Sequence, residues 1–130
     1  MMYNKVIDYL RMGDLCLESR EFAAFVAGVL DDRKAENIEV INISELTTIA
    51  DYFIICSANS TTAVKALCDN VLEKSAESGV EAQRIEGYDS AAWILVDFGG
   101  VVVHIFKTDM RDFYSLDRLW GDGEKMSFDK

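Results

Sequence analysis

The sequence has few of the residues from which metal sites are built. It contains one histidine, His104, and three cysteines, Cys16, Cys56 and Cys68. The cysteines are widely separated and form neither a CxxC motif nor a spacing with histidine that suits zinc, so no metal site is expected. Cys56 and Cys68 fall within apolar segments, where we expect them to be small buried hydrophobic residues.

Long apolar runs are also missing. No stretch approaches the roughly 18 apolar residues that a membrane-spanning helix needs. The N-terminal segment mixes charged and apolar residues, and it has neither the apolar core nor the cleavage site of a secretory signal. We therefore expect a cytoplasmic protein with no membrane partner.

Basic residues are scarce as well. There are 13 Lys and Arg residues against 23 Asp and Glu residues, which gives a formal net charge of −10. Such a charge opposes the approach to a phosphate backbone, so direct binding of nucleic acid is not expected. The same charge favours encounter with a basic protein surface, although acidic residues that only keep a protein soluble would give the same value.

The sequence lacks the motifs of nucleotide binding and of common catalytic sites. Neither GxGxxG nor GxxxxGK[ST] occurs, and no predicted strand carries two carboxylates spaced to share Mg²⁺. Ser57, His104 and Asp97 could in principle form a Ser–His–Asp arrangement, but there is no G-x-S-x-G turn to present the serine. His104 lies within a strand-like segment, where a hydrogen-bonded core histidine is the favoured interpretation. We expect no cofactor and no enzymatic activity.

The pattern of apolar residues predicts one α/β domain. The 130 residues contain no proline, no repeat and no linker, and a chain of this length buries roughly two-thirds of its unfolded surface in one core. Helical spacing of apolar residues predicts one helix over 20–34 and a second that begins after N-cap candidates at 57–60 and ends at Gly79. The five predicted strands cover 38–43, 52–57, 81–86, 93–97 and 101–106.

The connections between these elements predict a mixed sheet. Phe98-Gly99-Gly100 is typical of a tight antiparallel hairpin, whereas the strand–helix–strand step favours parallel pairing. The segment 81–86 is polar and is expected at an edge. Residues 1–19 form an N-terminal extension with the spacing of a short helix, residues 20–122 the domain, and residues 123–130 a polar tail.

A dense series of motifs resembles one known family. The motifs are Ala50-Asp51 with Tyr52-Phe53-Ile54, Glu86-Gly87, Trp93 to Asp97, Val101 to Phe106, Arg111 with Tyr114, and Leu119-Trp120. In this order they are similar to AD-Y-F-I, EG, W-x-x-x-D, VVVH-x-F, R-x-x-Y and LW of the ribosomal silencing factor family, also called iojap-like. The sequence departs from the family at 57–60, where a turn containing glycine is more usual.

The resemblance implies a fold and a function. The implied fold is a single α/β domain with a five-stranded mixed sheet packed with helices, similar to a nucleotidyltransferase core. The implied function is noncatalytic repression of translation, by binding the large ribosomal subunit through ribosomal protein L-fourteen and sterically blocking the joining of the small subunit. Members of the family are often dimers, so a homodimer is also implied. The alternative is a nucleotide-using enzyme with an atypical nucleotidyltransferase-like site.

The partner-binding residues that we predict centre on Trp93. A tryptophan that opens a strand can be a core residue or a surface anchor, and the resemblance implies that Trp93 belongs to the surface that meets the ribosome. Asp97 lies in phase with it on the same strand, and an exposed acid beside an aromatic ring suits a basic partner. Tyr88 and Asp89 in the preceding loop are expected to extend the patch.

A second group of candidates lies near the C-terminus. Arg111, Tyr114 and Trp120 match the last two family motifs, together with Leu119. These residues either contact the partner or dock the last helix on the sheet, and the sequence favours neither alternative.

Overall fold

The structure is a computed structural model that describes residues 15–110 and 124–126, with side chains from residue 19 to residue 110. Within these ranges two helices and six strands have defined bounds, and residues 108–110 are also helical. In chain order the elements are α1 (Leu15–Asp32), β1 (Glu36–Asn42), β2 (Tyr52–Ala58), α2 (Thr61–Glu77), β3 (Arg84–Glu86), β4 (Trp93–Asp97), β5 (Val101–Lys107) and β6 (Glu124–Met126).

All strands belong to one mixed sheet with the order β3-β4-β5-β2-β1-β6. The strands β2 and β5 are parallel, and the other neighbouring pairs are antiparallel. The five predicted strands and the mixed character of the sheet are therefore confirmed, and the polar strand β3 lies at an edge as expected. The strand–helix–strand step leads from β2 through α2 to β3, but β4 and β5 lie between β2 and β3 in the sheet. The parallel neighbour of β2 is therefore β5 and not β3.

The sixth strand comes from the segment for which we expected only a polar tail. Within that segment β6 pairs antiparallel with β1, with Val40 opposite Met126 and Asn42 opposite Glu124. A backbone can complete a sheet edge through its amide and carbonyl groups whatever its side chains are. The polar composition therefore gave no signal for this strand.

The helix α2 lies where the sequence predicts it, whereas α1 begins at Leu15, within the predicted N-terminal extension and before the predicted start at residue 20, and ends at Asp32. Ser60 caps α2 by accepting a hydrogen bond from the Ala63 amide at 3.1 Å, and Gly79 follows the helix with a φ of 86°. The face of α1 that apolar spacing predicts is buried, as is that of α2. The buried residues of the two faces include Phe22, Phe25, Val26, Val29, Leu30, Val64, Leu67, Cys68 and Val71.

Both helices pack against the same face of the sheet. On that face Ile54, Cys56 and Ile94 join the helix residues in one apolar cluster. Cys56 and Cys68 are free thiols buried there, as expected, and burial together with Asp69 raises the pKa of Cys68 to about 11. We call the opposite face of the sheet the far face.

The far face has an apolar cluster of its own. Because side chains alternate along a strand, residues next to those of the helix side point the other way. The cluster contains Ile41, Ile43, Ala50, Phe53, Ile55, Val102 and Phe106, with Trp93 and Leu95 packed against it. The central strands β2 and β5 are thus buried on both faces, which explains their continuous apolar sequences.

Asp51 joins α1 to the centre of the sheet. Its carboxylate oxygen Oδ2 accepts a hydrogen bond of 2.8 Å from the Ser19 hydroxyl. The amides of Asp51 and Tyr52 both donate to the carbonyl oxygen of Gly100, at 2.8 and 3.0 Å. A Cβ atom on Gly100 would overlap Ser19 Oγ and approach Asp51 Oδ2 to 3.3 Å. Gly100 is therefore required by close packing at this junction.

Gly100→Ala should lower the free energy of unfolding by about 1–3 kcal/mol, because the added methyl group has no space beside Ser19. Gly28→Ala is the matched control: a Cβ there meets nothing within 4 Å, and alanine suits the middle of α1 better than glycine does. Urea unfolding of both variants measures the difference.

The same contact can be relieved by a second substitution. In a Ser19→Ala background the Gly100→Ala substitution should cost less, since the overlapping hydroxyl is gone. If Gly100→Ala is as stable as Gly28→Ala, close packing at the junction is not what requires a glycine.

Candidate partner-binding site

The strand β4 presents three partly exposed side chains on the far face. Ile94 and Val96 are fully buried towards the helices, whereas Trp93, Leu95 and Asp97 are only partly buried. Each lies directly opposite a residue of β5: Trp93 opposite Phe106, Leu95 opposite His104, and Asp97 opposite Val102. The predicted phase relation between Trp93 and Asp97 is therefore present, and Leu95 lies between them, as the alternation that placed Asp97 also implied.

Trp93 is held by two neighbours on β5. Its ring stacks on Phe106, with ring centres 5.1 Å apart and planes at 25°. Its indole Nε1 donates a hydrogen bond of 3.0 Å to Nδ1 of His104. The side chain is thus partly exposed and also anchored, which combines the two alternatives that the sequence left open.

His104 is a core residue of the far face. It is 3% exposed, and its ring meets Phe53 edge to face with centres 4.6 Å apart. Because Nδ1 accepts from Trp93, the proton of the neutral ring is on Nε2. Burial lowers the pKa of His104 to about 4. The expectation of a hydrogen-bonded core histidine is confirmed.

The Ser–His–Asp arrangement does not form. The Ser57 hydroxyl donates to the carbonyl oxygen of Glu36 at 3.3 Å, and His104 Nδ1 is engaged by Trp93. Asp97 instead closes the turn after β4, since its Oδ1 accepts from the Gly99 amide at 2.8 Å. No proton relay connects these three side chains.

Asp97 is paired with a cation. Nη2 of Arg84 on the neighbouring edge strand lies 3.7 Å from Asp97 Oδ2, and Nε of Arg84 lies 2.9 Å from Glu86 Oε2. We expected an exposed acid beside the tryptophan, and the structure adds a basic residue to that surface. Sequence reasoning missed Arg84 because the register of β3 on β4 is a tertiary property.

Tyr88 lies on the helix side of the sheet, opposite to Trp93. It packs against the apolar cluster of the helix side, and its hydroxyl donates to Asp69 Oδ1 on α2 at 2.9 Å. Nζ of Lys65 lies 5.4 Å from the centre of its ring. The structure therefore does not bring Tyr88 together with Trp93, and Asp89 beside it is exposed.

Two backbone positions explain this separation. Gly87 has a φ of 80°, and a Cβ there would overlap the carbonyl oxygen of Trp93. Ala91 has a φ of 55°, and its amide donates to the Gly87 carbonyl at 3.0 Å. These conformations fold the 87–91 loop tightly against the start of β4 and turn Tyr88 towards α2.

The second group of candidates, Arg111, Tyr114 and Trp120 with Leu119, lies outside the described residues. Their role stays a prediction. Cys16 also lies in the part of the chain whose side chains are not described.

A cavity of about 390 Å³ opens at the start of α2, and none of its lining residues is on β4. Arg33, Lys34 and Glu36 line it together with residues at the β2–α2 junction. Glu36 is the one carboxylate among the lining residues, so the cavity offers no pair of acidic groups for Mg²⁺. Among the side chains of residues 19–110, no group of three or more His, Cys, Asp or Glu is placed to hold a metal ion.

Within the described ranges, α1 and α2 are too short or too polar to cross a membrane.

The titration of His104 predicts a loss of stability in mild acid. Its pKa is about 4 when folded and 6.5 when free, so between these values the unfolded chain takes up a proton that the folded protein does not. The free energy of unfolding should be at its full value above pH 6.5 and fall as the pH decreases towards 4. The total loss from this group is about 3 kcal/mol, measurable by urea unfolding across the pH range.

His104→Leu is the control because it removes the titrating group and keeps the other ionisable residues. Its stability should change less than that of the original protein between the same pH values. Equal pH slopes for the two proteins would contradict a buried, neutral His104.

The sequence and the fold both match known proteins. The family model "Ribosomal silencing factor during starvation" matches residues 17–130. The ribosomal silencing factor RsfS of Halalkalibacterium halodurans is 40% identical over 106 residues, which are 82% of this chain and 91% of that protein. The mouse protein named "Mitochondrial assembly of ribosomal large subunit protein 1" is 30% identical over 98 residues, 73% of this chain and 43% of the mouse protein.

Among solved structures, a crystal structure of a protein from Chromobacterium violaceum superposes with a TM-score of 0.74. It is 37% identical, and the match covers 85% of this chain and 92% of that one. The family match covers α1 from residue 17 onward, α2 and all six described strands, including the Trp93 and His104 positions of the site. The chain belongs to the ribosomal silencing factor family.

Proposed function

We propose that this protein is a noncatalytic repressor of translation that binds the large ribosomal subunit. In this proposal it contacts ribosomal protein L-fourteen and blocks the joining of the small subunit, as the family resemblance implies. Membership of the ribosomal silencing factor family supports a role in translation regulation at the ribosome. A cytoplasmic location accompanies the proposal, because it places the protein on ribosomes.

The proposed contact surface rests on one observation. The aromatic side chain of Trp93 is partly exposed and is held in place on the far face. Stacking on Phe106 and the hydrogen bond to His104 restrict the indole before any partner binds. A side chain that is already ordered loses little entropy on binding, which is the property of aromatic anchors in protein interfaces. We propose that Trp93, Leu95 and Asp97 form the centre of the contact.

Electrostatics favour a basic partner. The formal net charge of −10 raises the rate of encounter with a positively charged surface and disfavours approach to exposed RNA phosphates. Near Trp93 the charge is mixed, because Arg84 lies beside Asp97. The overall charge therefore steers the approach, whereas the aromatic and apolar side chains supply the contact.

The proposed mechanism requires only occupancy. A body of 14.6 kDa on the joining surface excludes the small subunit without any chemical step. A standard protein interface of about 800 Å² on each partner is within reach of one sheet face and its rim.

A homodimer is a separate proposal. Ile85 on the edge strand β3 is 42% exposed and could contribute to self-association. Arg84 and Glu86 flank it, and charges on an edge strand discourage pairing with a second strand. The proposed dimer contact is therefore through the Ile85 side chain and not through strand pairing. Sedimentation of the purified protein at the concentrations used for ribosome binding separates self-association from subunit binding.

The experiment that tests the proposal is co-sedimentation of the purified protein with isolated large and small subunits, followed by addition of the opposite subunit. Binding to the large subunit together with loss of whole ribosomes is the expected result. Binding to neither subunit would refute the proposal.

Trp93→Ala should weaken binding to the large subunit by about 2 kcal/mol or more, roughly 30-fold, as expected for an aromatic anchor. The variant also loses the stacking and the hydrogen bond within the far face, so its folded fraction must be measured by unfolding under the binding conditions. Titration of co-sedimented protein gives the affinity.

Tyr88→Ala is the comparison, since it truncates another partly buried aromatic residue that faces α2. Its affinity should stay within about twofold of the original value. An unchanged affinity for folded Trp93→Ala would remove Trp93 from the interface, and an equal loss for Tyr88→Ala would place the 87–91 loop in it.

A further inference from the structure

We propose that His104 is the positioning residue for Trp93: its buried imidazole fixes the direction in which the indole meets the partner. This inference rests on the proposed role of Trp93 in binding. It assigns a function to a histidine that is itself too deeply buried to touch a partner.

The geometry of the pair holds the indole in one orientation. His104 lies opposite Leu95 in the antiparallel ladder, so it is the diagonal neighbour of Trp93. An indole has a single hydrogen-bond donor, and Nε1 of Trp93 uses it towards His104 Nδ1 at 3.0 Å. Rotation of the ring about its side-chain bonds would break this bond. Phe106, which lies directly opposite Trp93 and stacks on it, closes a second side of the indole.

The acceptor of this hydrogen bond is itself held in place. His104 is 3% exposed and is held between Phe53, at 4.6 Å between ring centres, and Phe106, at 6.4 Å. A flexible acceptor would follow the indole and restrict it little. An imidazole that is fixed by aromatic neighbours on a central strand instead restricts the indole of Trp93 to one orientation.

His104 has one polar atom whose burial is not explained by stability alone. Within the described part of the chain, Nε2 of His104 is buried and has no hydrogen-bond partner. A buried N–H without an acceptor is costly, and a leucine among Phe53, Val102 and Phe106 would avoid that cost. A residue that is unfavourable for folding and favourable for orienting Trp93 is expected where binding needs the orientation.

Two substitutions of His104 separate positioning from packing. His104→Asn keeps an acceptor, because its side-chain oxygen occupies about the position of Nδ1. His104→Leu fills a similar volume without an acceptor. The affinity of each purified variant for isolated large subunits is measured by titrated co-sedimentation, with the folded fraction verified by unfolding.

We expect His104→Leu to weaken binding about tenfold and His104→Asn to stay within about threefold of the original protein. Ile94→Val is the control, since it perturbs β4, the strand of Trp93, on the helix side of the sheet. It should leave the affinity unchanged. Equal losses for His104→Leu and His104→Asn would overturn the proposal, and so would an equal loss for Ile94→Val.

The indole N–H signal of Trp93 gives a readout that does not depend on the ribosome. The chain has two tryptophans, so a Trp120→Phe background leaves one indole in the ¹H–¹⁵N spectrum. The signal should show protection from solvent exchange in the original protein and in His104→Asn, and lose it in His104→Leu. Unchanged protection in His104→Leu would overturn the positioning role.

This design distinguishes the inference from the proposed function. If the original protein binds neither subunit, the proposed function fails, and so does a positioning role in ribosome binding. The indole spectrum then still decides whether His104 orders Trp93. If the original protein binds and the two His104 variants bind alike, the proposed function stands and the inference alone fails.

Discussion

The parallel pairing of β2 with β5 is the interaction on which the rest of the structure depends. Seven residue pairs join the two strands, from Tyr52 opposite Val101 to Ala58 opposite Lys107. The other strands attach to this pair, β1 to one side and β4 to the other. A slip of one residue would move His104 from the far face to the helix side. The junction of Asp51 with Gly100, where two amides meet one carbonyl, opposes such a slip at one end.

The two faces of this sheet differ in how they are covered. The helix side is an apolar cluster in which α1 and α2 cover the central strands. The far face combines apolar side chains with a linked set of aromatic rings that ends at the partly exposed Trp93. Trp93, the anchor of the proposed contact, is ordered by the same packing that stabilises the fold. The orientation of the Trp93 side chain and the stability of the fold are therefore coupled, and truncation of Trp93 affects both.

The local patterns of the sequence predicted much of the fold and part of the site. Apolar spacing identified both helices and their buried faces, and strand alternation placed Trp93 and Asp97 on the same side of β4. Tyr88 was expected beside Trp93, and the actual direction of its side chain escaped prediction because it depends on the positive φ angles of Gly87 and Ala91. Arg84 escaped for another reason: its contact with Asp97 exists only in one register of β3 on β4.

The sequence by itself determined the class of fold, the phase of each strand and the family motifs, since these follow from the order of residues along one element. Only the tertiary structure decided which side chains meet across elements. The hydrogen bond from Trp93 to His104 joins residues of two strands, and its existence requires the register of β4 on β5. The sixth strand is a similar case, because backbone groups complete a sheet edge wherever the chain returns to it. Contacts of this kind depend on distances in space, which the spacing of residues in a sequence does not contain.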